Sequence, residues 1–184
     1  MTERVALTSV CAAVTVQPLI RPSGPGNSAP VDVFLLVAML MTTMWAATSG
    51  LRIRMPYGVP VLLMVVAGAV AGLLNTLPSV ALLALVQDIV LLGWCTAVVN
   101  LGAVPGALRL ITRAWAVSSV CWAAVLVAAW LLDITPVLGI TATEGNRVMF
   151  TFGDPNYAGT YWVSSLFIVA ATGAPSRTWV RRIG

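Results

Sequence analysis

Arg147 and the stretch Asp154-Pro155-Asn156 hold the groups in this chain best suited to binding an anion. A guanidinium can grip two phosphate oxygens at once. An acid followed by proline is a helix start, where unpaired backbone N–H groups gather partial positive charge. Together these features suit a phosphate or pyrophosphate. The same residues also have an ordinary reading. Asp154 caps the helix, Pro155 takes the first helical position where its missing N–H costs nothing, and Arg147 anchors its loop or pairs with Glu144. The apolar run Val148 to Phe152 is too short to span a membrane, so it is expected at the interface or against neighbouring helices.

Gln87 and Asp88 form the second set. They interrupt the apolar run Ala84-Leu85-Val86-Gln87-Asp88-Ile89-Val90. An isolated charge at the centre of a membrane helix costs ~3 kcal/mol or more by insertion scales, so Asp88 needs a partner, water or a proton. A polar contact between helices, with Gln87 helping, meets that need, and so does a polar cavity, ion path or lipid-headgroup site. Asp32 has a simpler role: it begins an apolar helix beside Pro30, where a carboxylate meets the positive end of the helix dipole.

Other chemistries lack their residues. There is no His, the commonest general base and metal ligand. Cys11, Cys95 and Cys121 all fall inside apolar segments, which argues against a disulfide framework or a CxxC metal site and for packing roles. No residue cluster implies a metal or an organic cofactor. The net charge of +4 comes from ten Arg and no Lys. These arginines stand singly or in pairs between apolar runs, without the clustered basic face that nucleic-acid binding requires.

The elements that must position these groups are helices in a bilayer. Hydrophobic residues make up 59% of the chain and charged ones 9%, with mean hydropathy +0.96. A soluble domain carries roughly 25% charged residues. Six apolar stretches can be set against the ~20 residues that cross a hydrocarbon core. They are 5–20, 31–50, 57–77, 79–100, 114–132 and 157–174. The first is short and carries Gln17 and Pro18; it is expected as an uncleaved helix rather than a signal sequence, because no small-residue cleavage site follows it. Pro22, Gly24, Pro25, Gly26 and Pro30 break the chain after it, and Asn75-Thr76-Leu77-Pro78 is long enough to close a hairpin. With the amino terminus inside, eight arginines (Arg4, Arg52, Arg54, Arg109, Arg113, Arg177, Arg181 and Arg182) face the cytoplasm. Two, Arg21 and Arg147, face out. That bias follows the positive-inside rule. The expected fold is all-α: one polytopic transmembrane helix bundle over 1–184, about six spans, both termini cytoplasmic and an external loop over 133–156. No internal repeat or second domain is visible.

The stretch from Arg147 through two aromatic residues to Gly153-Asp154-Pro155-Asn156, and then the small and aromatic start of a span, resembles the corresponding region of O-antigen ligase and polymerase-like membrane proteins. Asn27-Ser28-Ala29-Pro30-Val31-Asp32, leading into an apolar helix, is similar to the early part of that family. The resemblance implies a multi-pass protein of the bacterial cytoplasmic membrane. Such a protein takes part in transferring or polymerising glycans carried on a polyprenyl diphosphate at the outer face. It also implies that Arg147, Asp154 and Asn156 contribute to substrate binding. Family members have about twice as many spans and a large later external loop, so the chain is expected to correspond to the amino-terminal half, to lack the complete catalytic apparatus and to work with further transmembrane segments or subunits. The alternative from a different class is a small membrane transporter or accessory subunit in which Asp88 lines a polar route.

Overall fold

The computed structural model describes residues 2–19, 29–74, 78–134 and 149–173. Among them there are six α-helices and no strand: α1 (Thr2–Thr15), α2 (Pro30–Thr48), α3 (Gly58–Leu73), α4 (Pro78–Gly102), α5 (Ala107–Leu131) and α6 (Pro155–Thr172), with a 3-10 turn at Phe150–Phe152 before the last. Among the described residues three segments are long and apolar enough to cross a membrane: α2, the Leu85–Gly102 part of α4, and α5. α3 is apolar but shorter.

Helix limits depart from the apolar stretches where local chemistry overrides hydropathy. α1 stops at Thr15, short of Ile20, giving 14 residues or about 21 Å of helix. Pro18 pushes the residue before it out of the helical region, and the freed carbonyl of Thr15 accepts from the Trp122 indole N–H at 2.8 Å. α5 starts at Ala107, seven residues before Ala114. Arg109 and Arg113 lower the local hydropathy but are good helix formers, and with their side chains exposed the backbone continues the helix through them.

The chain divides into two compact units. The first comprises residues 1–10 and 35–105. In it α3 packs along α4, as the hairpin reading of Asn75 to Pro78 expects, although residues 75–77 lie outside the described residues. Gly68 allows close approach: a Cβ there would stand 3.1 Å from Leu85 Cδ2. α3 buries only Gly72 and leaves Leu62, Leu63, Met64, Val66 and Val70 exposed, an arrangement that suits hydrocarbon and not water. α2 ends in a Schellman turn. Gly50 adopts φ +63°, and the Leu51 N–H reaches back to the Ala46 carbonyl at 3.0 Å.

The second unit comprises residues 11–34 and 106–184. α6 packs on α5 and on the 3-10 turn. At the start of α2 the Asp32 carboxylate accepts from the Ala29 N–H at 2.7 Å, the expected first-turn acid reaching back to cap its own helix.

Candidate functional site

The start of α6 is built from short-range chemistry. Gly153 takes φ +75° and turns the chain. Asp154 is then extended, and its carboxylate accepts from the N–H groups of Asn156 at 2.6 Å and Tyr157 at 3.3 Å. Pro155 fills the first helical position. Two of the N–H groups available to an anion are therefore already held by Asp154. Asn156 is exposed, and its carbonyl accepts from the Thr160 hydroxyl at 2.9 Å.

The apolar segment upstream packs inward. Met149, Phe150 and Phe152 are buried, and Phe150 is held at φ +51°. A bulky residue in the left-handed region costs of order 1–3 kcal/mol. Burial in a ring of aromatics offsets it. Phe150 meets Trp122 edge-on at 5.9 Å and Trp162 at 6.2 Å between centroids. Phe152 meets Tyr161 at 5.1 Å, and Tyr161 stacks on Trp115 at 6.0 Å. Polar anchors fix the ring: the Trp115 indole N–H donates to Ser165 Oγ at 2.9 Å, and the Thr151 hydroxyl donates to the Pro18 carbonyl.

Against this cluster lies a cavity of about 260 Å³, lined by Gln17, Trp115, Phe152, Tyr157, Thr160, Tyr161 and Ser164. Two buried polar atoms among its lining residues have no hydrogen-bond partner among the described residues, Gln17 Oε1 and the Tyr161 hydroxyl. The hydroxyls of Ser118 and Ser165 lie beside that of Tyr161, but neither bonds it with normal geometry. Such orphans are uncommon in folded proteins and mark places where a partner is missing. A carbonyl acceptor, a phenol donor and aromatic faces together suit a small polyhydroxylated ring. The volume falls below the roughly 300–1,000 Å³ of pockets for drug-sized ligands, so it fits one ring and not a chain of them.

Of the anion-binding set, the structure joins Asp154 to Asn156. Arg147, Glu144 and Val148 lie outside the described residues. In the first unit, Gln87 is exposed and Asp88 half-buried on α4. Sequence reasoning did not find the aromatic cavity. Its signals were the pairs Trp115 and Trp122, two turns apart on α5, and Tyr157 and Tyr161, one turn apart on α6, which hydropathy counts as span. Comparison with protein families, curated proteins and solved structures finds no match to the chain.

Proposed function

We propose that this protein is an O-antigen ligase/polymerase-like integral membrane protein of the bacterial cytoplasmic membrane, which recognises a glycan carried on a polyprenyl diphosphate at the outer face. The observation supporting the reading is the aromatic cavity at the start of α6 with its unpartnered Tyr161 hydroxyl and Gln17 carbonyl. A sugar ring would stack on an aromatic face and supply both missing partners. Arg147, seven residues before Asp154, would take the diphosphate. Among the described residues that line the cavity none is a carboxylate or an imidazole able to accept a proton from an acceptor hydroxyl. The role assigned to these residues is thus recognition.

The test is titration of the purified chain in nanodiscs with a short-chain polyprenyl diphosphate-linked monosaccharide, followed by tryptophan quenching. Tyr161→Phe and Gln17→Ala each remove one hydrogen bond of net worth ~0.5–1.5 kcal/mol, so affinity falls roughly 2- to 13-fold. Arg147→Ala removes a charge-assisted contact and costs roughly 10- to 150-fold, with Arg147→Lys intermediate. Saturable binding of equal strength in all four variants would refute the assignment.

The reading carries a topology of about six spans with both ends cytoplasmic. A reporter after Gly184 should then be cytoplasmic and one inserted between Thr141 and Thr143 external, an arrangement supported by the arginine bias. Labelling of an Ala142→Cys variant by an impermeant thiol reagent from the cytoplasmic side alone would overturn it.

A second reading, an accessory membrane subunit, is favoured by one observation. α4 carries an exposed Gln87 next to a half-buried Asp88 near the start of its candidate span, Leu85–Gly102. Among the described residues neither side chain has a partner, and a neighbouring protein helix would supply one. Co-purification of a second membrane protein that is lost in Asp88→Leu would support it.

A further inference from the structure

In the first unit a cavity of about 920 Å³ is lined by Glu3, Trp45, Ala46, Leu51, Arg52, Arg54, Asn100, Ala103, Val104 and Pro105. We propose that it is a phospholipid site, in which Arg52 and Arg54 hold the headgroup phosphate and Glu3 holds the ammonium of an ethanolamine-type headgroup.

Three observations carry this. The first is position. Trp45 and Ala46 belong to the last turns of α2 and Asn100 to the last turn of α4, and both helices include candidate spans. The cavity therefore opens where two spans end, at the depth of lipid headgroups. Tryptophan favours that layer.

The second is how the arginines are presented. Residues 51–55 run without helix after the Gly50 turn. Arg52 and Arg54 of this segment both line the cavity. Asn100 clamps this segment: its Oδ1 accepts from the Arg54 N–H at 2.8 Å, and its Nδ2 donates to the Arg54 carbonyl at 2.7 Å. Nδ2 also donates to the Thr96 carbonyl of α4 at 2.7 Å. The main chain of residue 54 is thus fixed through one amide, while among the described residues neither guanidinium is engaged in an ion pair or hydrogen bond. Two guanidinium forks lining one cavity can take the non-bridging oxygens of a single phosphodiester.

The third is the chemistry of the remaining wall. Trp45, Ala46, Leu51, Ala103, Val104 and Pro105 are apolar and suit the glycerol and upper acyl segments. Glu3 is the only carboxylate of the lining. Against a wholly anionic headgroup such as phosphatidylglycerol it would repel, whereas a primary ammonium one ethylene away from the phosphate pairs with it. Choline carries the charge but donates no N–H bond, so it binds more weakly.

The test is native mass spectrometry of the full chain in detergent, titrated with phosphatidylethanolamine, phosphatidylcholine, phosphatidylglycerol or inorganic phosphate. The expected wild-type order places phosphatidylethanolamine several-fold above the other two lipids, with phosphate alone failing to compete. Arg52→Ala with Arg54→Ala should lose at least about 10-fold in phosphatidylethanolamine affinity, the loss expected from removing charge-assisted bonds. Glu3→Gln should retain lipid binding but erase the preference for ethanolamine over glycerol. That arm is decisive even if the double arginine variant does not fold, because Glu3 is exposed on the first turn of α1. Equal binding of all three lipids by the wild type, or an unchanged preference in Glu3→Gln, overturns the proposal. Competition by inorganic phosphate at lipid-like concentrations would assign the site to a free anion instead.

Discussion

The side-chain amide of Asn100 bonds both main-chain groups of Arg54, at 2.8 and 2.7 Å, and a third bond ties the same amide to the α4 carbonyl of Thr96. An asparagine here does what a neighbouring strand would do, pairing a non-helical segment edge to edge. Asn100→Ala should therefore free the 51–55 segment while leaving α4 helical. Limited trypsinolysis measures this, since cleavage after Arg52 and Arg54 requires local opening. Losing the two bonds to residue 54, at ~0.5–1.5 kcal/mol each, should raise cleavage there by roughly 5- to 150-fold. Asn100→Asp keeps an acceptor but loses the donor bonds and should fall between. Unchanged cleavage in Asn100→Ala would show that the clamp does not hold the segment.

Tyr161→Phe separates stability from binding. The phenol oxygen is buried without a partner among the described residues, so its removal relieves a desolvation cost of ~1–3 kcal/mol while the ring keeps its stack on Trp115. The variant should unfold at the same or a higher temperature and bind the sugar-linked diphosphate more weakly. A lower unfolding temperature would mean that the hydroxyl is satisfied, by water or by its serine neighbours.

Asp154→Ala removes the cap of α6 and should cost about 1 kcal/mol, with Asp154→Asn nearly neutral because the amide oxygen can still accept. Hydrogen exchange at the Asn156 and Tyr157 amides is the direct reading: faster in Ala and close to wild type in Asn. If Asp154 acts mainly on substrate, binding falls in both variants while these amides stay protected.

Asp88→Asn retains hydrogen-bonding capacity without the charge. If Asp88 serves only as a contact between helices, Asn should match the wild type in insertion and in any partner association, while Asp88→Leu loses the association. A polar-route role requires Asn to lose function in a folded, inserted protein. Identical behaviour of wild type, Asn and Leu would remove Asp88 from both roles.

The helical class and most helix positions follow from one-dimensional signals. Pro30 with Asp32, and Asp154 with Pro155, are caps whose chemistry lies within three residues, and the structure builds both as read. Hydropathy misjudges helix ends where helix-forming polar residues extend a helix beyond its apolar run, as Arg109 and Arg113 do, or where Gln17-Pro18 stops one early. The cavities were not legible, because each depends on residues brought together from distant stretches. Gln17 meets α5 and α6 residues at one, and Asn100 meets Arg54 at the other. Arg52 and Arg54 are visible as charge; that the Arg54 main chain is bonded to Asn100 is not.

The close approach of α2 and α4 at Gly93 ties two positions of the sequence into one volume. A Cβ on residue 93 would run into the Met39 sulfur. Methionine is unbranched and can swing its thioether aside, so Met39 leaves room for Ala at 93 at the expense of repacking. A β-branched residue at 39 has no such freedom. Tolerance at 93 is therefore conditional on the residue at 39, and substitutions there are epistatic: Ile at 39 makes glycine at 93 obligatory, whereas Met keeps the neighbouring position open to change.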